Sequence, residues 1–388
     1  MFYETFFNIK TMTTEPTFTP QRYLSIDFYR GLTIALMIIV NTPGTWEQIY
    51  APLKHADWHG CTPTDLVFPS FMFIVGVSMW FAFERYERRW SADLGKKILK
   101  RTVLIFLIGL LLNKFPFYWE NVTEWRIMGV LQRIALGYGI GSLLVLNLQR
   151  RWLIWVSTGI LFGYWGVLYA FDQPNAAGLY SLGGNAVLQL DRFILGGQHL
   201  YKGEGIPFDP EGILSTFPAV VTVVLGWLSG ELMTKRRAQQ ELLVRDLLVF
   251  GLICGFLGLA WDLFFPINKK LWTSSYVLYV GGLSMIFLAV SVWWIDVKKW
   301  TSGAGFFIVF GSNALFAYLL SEVLAIGLGN ITWDSVNGKM SVMSWLYTTL
   351  FKPIEGAEFS SFLFAIAFML ICWIPCRWLY AKRIFIKL

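Results

Sequence analysis

Two of the three histidines in this 388-residue chain fall in one short polar stretch, Lys54-His55-Ala56-Asp57-Trp58-His59-Gly60-Cys61-Thr62-Pro63-Thr64-Asp65, set between two long apolar runs. An imidazole titrates near neutral pH and accepts a proton as general base or attacks as a nucleophile, which the flanking Leu, Ile, Phe and Trp cannot do. Asp65 has two readings. Thr62, Pro63 and Asp65 spell a helix start, with Thr62 at the N-cap and the acid near the positive end of the dipole. The same carboxylate is of the kind that holds an imidazole in one tautomer and stabilises its charged form. Asn41 lies fourteen residues after Asp27 on what reads as the first helix, about 21 Å further along at 1.5 Å per residue, close to where the histidine stretch begins. No metal site is expected.

These residues are positioned by helices. Apolar residues make up 56% of the chain and mean hydropathy is positive, which excludes a soluble domain. Runs of about 20 residues, enough to cross roughly 30 Å of hydrocarbon, recur from Phe28 onward. They predict an all-α, polytopic helical bundle of about ten transmembrane helices. The spans are 24 to 43, 63 to 84, 100 to 115, 126 to 147, 152 to 171, 212 to 233, 244 to 265, 275 to 295, 304 to 328 and 359 to 380. Residues 1–22 read as a flexible tail and 23–388 as one transmembrane domain. The segment from Met340 to Phe351 has helical apolar spacing suited to lying along the interface.

The formal charge is +7, but the cations form compact clusters after the second, fourth, sixth and eighth helices: Arg85, Arg88 and Arg89; Arg150 and Arg151; Lys235, Arg236 and Arg237; Lys298 and Lys299. This alternation obeys the positive-inside rule and puts both termini in the cytoplasm and the histidine stretch on the other side. It also argues against a nucleic-acid partner. Cys61, Cys254, Cys372 and Cys376 imply no disulfide framework.

An ionisable group in the bilayer costs about 3 kcal/mol even on the lowest scales, so each is a functional candidate. Asp27 and Arg30 share a helix face and can pair. Gln132 and Arg133 enter the fourth helix, where a buried guanidinium needs an anion, either a carboxylate such as Asp262 or a phosphorylated ligand. Asn313 and Glu322 add polar groups to the ninth span, as ligand contacts or as glue between helices. Asp209 and Glu211 in Asp209-Pro210-Glu211-Gly212 either cap the sixth helix or grip a cationic or hydroxyl-rich acceptor. Gly137-Tyr138-Gly139-Ile140-Gly141 lies within a helix and is packing, with no phosphate-loop spacing.

Taken in order, Leu24-Ser25-Ile26-Asp27-Phe28-Tyr29-Arg30-Gly31, Asn41, His55 to Gly60, Thr62 and Asp65-Leu66-Val67-Phe68-Pro69 resemble the start of the heparan-alpha-glucosaminide N-acetyltransferase family. Gly129 to Ile134, Asp209 to Gly212, Pro266-Ile267-Asn268-Lys269-Lys270-Leu271-Trp272-Thr273 and Gly311-Ser312-Asn313 extend the resemblance over nearly all the chain beyond residue 22. The resemblance implies that acetyl-CoA from the cytoplasm supplies an acetyl group to the amine of a terminal glucosamine across the bilayer. His55 matches the active-site histidine and Asn41 its neighbouring catalytic asparagine, with Asp65 orienting His55. Arg30, Gln132, Arg133 and Asn313 are the candidates for acetyl-CoA, and Asp27, Trp58, Asp209, Glu211, Asp262 and Lys269 those for the amino-sugar or glycan acceptor. The chain departs from the lysosomal enzyme in having no lumenal domain ahead of its first helix, which favours a bacterial inner membrane. A membrane O-acetyltransferase of an envelope glycan and a sugar or anion transporter are the competing readings. The lipid-facing surface permits a homodimer.

Overall fold

The computed structural model describes residues 23–117, 124–173, 178–335 and 338–386. The expected tail falls outside them. In chain order the helices are α1 (Leu24–Asn41), α2 (Val67–Ala82), α3 (Ala92–Lys114), α4 (Val130–Asn147), α5 (Arg150–Phe171), α6 (Ala186–Leu195), α7 (Ile213–Lys235), α8 (Gln240–Asp262), α9 (Ser274–Ser291), α10 (Ala304–Ser312), α11 (Ala314–Asn330), α12 (Val342–Leu346) and α13 (Ala357–Ala381). Among the described residues the only sheet is one antiparallel hairpin, β1 (Thr332–Ser335) with β2 (Gly338–Ser341), unannounced in the sequence.

The protein is an all-helical, polytopic membrane protein. Eight helices are long and apolar enough to cross a bilayer, and a ninth crossing is available if α10 and α11, bent by 84° at Asn313, form one broken span. The remaining expected crossing is α3. It begins at Ala92, two turns before the expected residue 100, because Ser91 caps it and Lys97 pairs with Asp93 at 2.7 Å. Those early charges leave it too polar to qualify by composition. Even so, α3 runs antiparallel along α4: Arg101 lies 4.8 Å over the Tyr138 ring, and Asn113 Nδ2 donates to the Met128 carbonyl at 3.1 Å.

Close backbone contacts hold the bundle. A Cβ built on Gly76 of α2 would lie 1.9 Å from the Val223 carbonyl of α7, and one on Gly226 of α7 the same distance from the Phe73 carbonyl. This reciprocal pair lets two helices touch backbone to backbone, the small-residue packing that lipid, which offers no hydrophobic drive between helices, makes necessary. By contrast α5 and α8 turn Trp155, Phe162, Leu252 and Phe256 outward, as lipid-facing helices do.

The break at Asn313 has a visible cause. Its side-chain amide donates to the Ile384 carbonyl at 3.0 Å while its oxygen accepts from Ile386 N at 2.8 Å, so the side chain serves the segment after α13 where a continuous helix was expected. The segment expected at the interface forms α12 and a following turn to Phe351, too short to cross. α6 is a further helix inside the long 172–211 connection, started by Asn185, whose oxygen accepts from Leu188 N at 2.8 Å.

Helix direction separates the ends of the bundle. Asn41 ends α1, Asp65 lies in the 3-10 turn Pro63–Leu66 that opens α2, and Glu211 stands just before α7, so these meet at one end. The basic clusters after α2, α4 and α7 lie at the other. A satellite core of Tyr164, Leu168, Leu188, Phe208, Phe265 and Leu271 underlies the first end and supports its loops.

Candidate active site

The histidine stretch is tied to its surroundings along its length. Thr62 Oγ1 donates to the Lys54 carbonyl at 2.7 Å, Gly60 N to Ile267 O at 2.7 Å, and Trp58 Nε1 to Tyr180 O at 2.8 Å. The Trp58 ring meets Phe208 edge-on at 5.6 Å, which joins the stretch to the satellite core. Opposite it, Asn268 folds the 266–273 loop: its oxygen accepts from Leu271 N at 2.8 Å and its carbonyl from Thr273 N at 3.1 Å. That turn presents Lys269 and Lys270 to the histidine stretch. It also places Trp272 in the left-handed region (φ 53°), where packing against Phe68 and Tyr276 fixes a conformation that a bulky residue rarely adopts.

Asp65 serves both readings of its sequence. One oxygen, Oδ2, accepts from Ala56 N and Thr62 N at 3.0 Å each, the latter completing a capping box. The other, Oδ1, lies 2.6 Å from His55 Nδ1 and 3.4 Å from Lys269 Nζ. With two backbone donors and an ammonium upon it the carboxylate is ionised, and an ionised carboxylate only accepts, so the network assigns the proton to His55 Nδ1. Nε2 is then the basic nitrogen. Lys269 Nζ also lies 3.1 Å from His55 Nδ1; with Nδ1 protonated, its charge acts on Asp65. Burial pushes the Lys269 ammonium below the ordinary lysine range, while Asp65 opposes the fall.

His55 opens onto a cavity of about 540 Å³, shared with Trp58, Asp65, Lys269 and Lys270. A second part of the lining comes from helices: Asn41 at the end of α1, with Tyr318, Glu322 and Ile326 on α11. Asn41 Nδ2 donates to Glu322 Oε1 at 3.4 Å. The end of α3 adds Leu112, Asn113 and Phe115, and the loops add Arg126, Tyr201, Glu204 and Glu211. Arg126 is forked onto Asp209 (Nε to Oδ2 2.9 Å, Nη2 to Oδ1 2.8 Å) and reaches Glu211 at 2.6 Å, with Tyr201 stacked 4.6 Å away. Burial alone would lower its pKa, but these two carboxylates hold the guanidinium above its ordinary value. Lys270 pairs with Glu204 at 2.5 Å.

Seven of the sequence candidates thus line one cavity: His55, Asn41, Asp65, Trp58, Glu211, Lys269 and Glu322. Asp209 stands behind it as the anchor of Arg126. Asp262 accepts from Ile267 N at 2.5 Å and shapes the lysine-bearing loop. Asp27 and Arg30 pair at 2.6 Å, as their spacing suggests, but at the far end of α1, where Arg30 also donates to Gly311 O at 2.7 Å. Arg133 is fully buried outside the lining; its partners are Gly212 O (3.2 Å), Ser215 Oγ and the face of Trp272 (4.8 Å), so it ties α4 to α7 and does not meet Asp262. Gln132 is buried beside Gly109, and Asn313 sits at the α10–α11 break. None of the four residues assigned to acetyl-CoA lines this cavity.

Sequence reasoning missed Arg126, Tyr201, Glu204, Lys270 and Tyr318. Tyr318 had a signal, lying one turn from Glu322 on the same face; Arg126 and Glu204 find their place only through partners distant in the chain. The other histidines are structural: His59 Nδ1 lies 3.4 Å from Asn268 Nδ2, with burial lowering its pKa, and His199 Nδ1 donates to Trp125 O at 2.7 Å. Burial pushes the Cys61 thiol up to about 12, which leaves it inert at neutral pH.

Comparison with known proteins converges on the same region. The profile described as heparan-alpha-glucosaminide N-acetyltransferase, catalytic, matches residues 22–265. The human heparan-alpha-glucosaminide N-acetyltransferase is 29% identical over 357 residues, covering 78% of this chain and 53% of its own, and the mouse protein is 28% identical over 356 residues, covering 78% and 54%. The chain spans about half the length of the curated relatives it matches. Matching more than half of the chain, and enclosing Asn41, His55, Asp65, Arg126 and Glu211, the profile shows that this protein belongs to the heparan-alpha-glucosaminide N-acetyltransferase catalytic family of transmembrane acetyltransferases.

Proposed function

We infer that the cavity transfers an acetyl group from acetyl-CoA to the amine of a glucosamine-type sugar, with donor and acceptor on opposite sides of the membrane. One observation carries this reading: His55 Nδ1 is 2.6 Å from an ionised Asp65, which leaves Nε2 basic inside a cavity of about 540 Å³, the size of a small-molecule site. Asp65 fixes the tautomer and stabilises the imidazolium that forms. His55 Nε2 then takes a proton from the attacking amine and returns it to the leaving thiolate, or takes the acetyl group itself and passes it on. Asn41 has the chemistry of an oxyanion donor, a contribution of about 3 kcal/mol. Trp58 and Tyr201 offer faces on which a sugar ring packs, beside carboxylate and carboxamide partners for its hydroxyls.

Sidedness follows from charge. The basic clusters lie at the end opposite His55, so the positive-inside rule makes that end cytoplasmic and opens the cavity outward, into the periplasm for a bacterial inner membrane. Arg30 and those clusters are suited to attract CoA phosphates from the cytoplasmic side.

The test is to give purified protein radiolabelled acetyl-CoA with glucosamine-terminated oligosaccharides and with counterparts bearing only hydroxyls. Label on the amine supports the reading. Label on the hydroxyl sugars makes the protein an O-acetyltransferase; no transfer and no acetyl-CoA binding favours a transporter.

A further inference from the structure

Every cation that lines the cavity is already matched to a protein carboxylate. Lys269 faces Asp65 at 3.4 Å, Lys270 pairs with Glu204 at 2.5 Å, and Arg126 spends its fork on Asp209 and its remaining reach on Glu211. Glu322 is the exception among the lining acids. Its partners are the Asn41 amide at 3.4 Å and the neighbouring Tyr318 hydroxyl, and among the described residues it makes no ion pair. A carboxylate held half-buried without a cation is costly unless it takes up a proton or a ligand supplies a cation, because neutral donors offset only part of its desolvation.

We propose that Glu322 is the subsite for the acceptor's ammonium group and that it selects a positively charged amino sugar over a sugar with a hydroxyl at the same position. The inference rests on the acetyl-transfer reading of the cavity and deepens it by naming the residue that decides between N- and O-acetylation. The position is suitable: Glu322 bonds to Asn41, and Asn41 and His55 line the same space, so an ammonium at Glu322 stands among the groups assigned to the reaction. A hydroxyl there gains a hydrogen bond assisted only by the carboxylate's charge, whereas an ammonium brings a charge of its own and cancels the lone negative charge. The same accounting disfavours a sulfate or phosphate near the reacting end, since binding it would strip Lys270 from Glu204 or Arg126 from Asp209. Protons balance. The bound ammonium loses one proton to solvent to become the attacking amine; its second passes through His55 to the CoA thiolate, leaving the amide and free thiol.

The experiment measures binding apart from catalysis. The protein is titrated calorimetrically in detergent with a glucosamine-terminated disaccharide and with its glucose-terminated counterpart, first as wild type, then as Glu322→Gln and Glu322→Asp. The wild type is expected to favour the amine by about 10-fold or more, Glu322→Gln to lose that preference with its calorimetric affinity for acetyl-CoA unchanged, and Glu322→Asp to keep part of it. A wild type without preference, or a Glu322→Gln protein that retains it, overturns the proposal. So does a Glu322→Gln protein whose kcat falls in a parallel transfer assay while the binding preference stays, since Glu322 would then act only by holding Asn41. Should Glu322→Gln not fold, the wild-type pair and Glu322→Asp decide. Failure of acetyl transfer with the binding preference intact would instead count against the reading of the reaction.

Discussion

Asp65 and Glu322, two carboxylates of one cavity, are held in opposite ways. Asp65 lies in loop and helix-start structure, with both oxygens taken by backbone amides, an imidazole and an ammonium, and its own carbonyl accepts from the Tyr276 hydroxyl at 2.6 Å. Glu322 stands on a helix with a single long amide contact and a phenol beside it. The first is complete before any ligand arrives; the second has room for a partner. On the proposed reading, the difference separates the part of the site that prepares a catalytic group from the part that receives a substrate, and a residue's spare hydrogen-bonding capacity is what tells them apart.

The largest effect that would sharpen this contrast comes from Asp65→Asn. The amide cannot hold the Nδ1-protonated tautomer as the carboxylate does, so turnover should fall about 1,000-fold or more with little change in acceptor binding. A loss confined to KM would place Asp65 on the receiving side and erase the distinction. Asn41→Ala should cost about 100-fold in kcat, the usual scale for one oxyanion donor; an unchanged rate would mean that Asn41 serves only Glu322. The smallest effect comes from a third carboxyl, at the start of α7. Burial pushes the Asp191 carboxyl up to about 7 although Ile213 N, donating to it at 2.9 Å, pulls the other way, so the fold prefers the neutral acid below that pH. That stabilisation is complete below the ordinary aspartate range and is lost as pH rises through about 7. Melting temperatures of wild type and Asp191→Asn at pH 5 and pH 8 should therefore converge or cross in the variant's favour at pH 8, by on the order of a few kcal/mol at most. A constant gap would show that Asp191 stays ionised throughout.

The contrast also explains what the sequence makes legible. His55 and Asp65 are ten residues apart in a stretch that must turn into a helix, so local capping chemistry announces both. The place of Asn41 near that stretch follows from helix rise, and its choice as a candidate from the family resemblance. The spans are read from apolar length, and only α3 and the α10–α11 break escape that reading, since early charges shorten the apparent helix and the Asn313 bonds to residues 384 and 386 are invisible to periodicity. The pairing of Asn41 with Glu322 spans 281 positions and that of Arg126 with Asp209 spans 83. No local pattern encodes such pairs; they arise when helices close around the cavity. Arg133 shows the converse case: a buried guanidinium called for a carboxylate or a phosphorylated ligand, and its partners are a helix start and an indole face.

The central claim is that a carboxylate-held imidazole does the chemistry in this cavity. It is tested most directly by purifying His55→Ala, measuring its affinity for acetyl-CoA, and following transfer of the label to a glucosamine-terminated acceptor. The account predicts acetyl-CoA affinity within about 3-fold of wild type and a loss of transfer of at least about 1,000-fold, no smaller than that of Asp65→Asn. Transfer at the wild-type rate would contradict it.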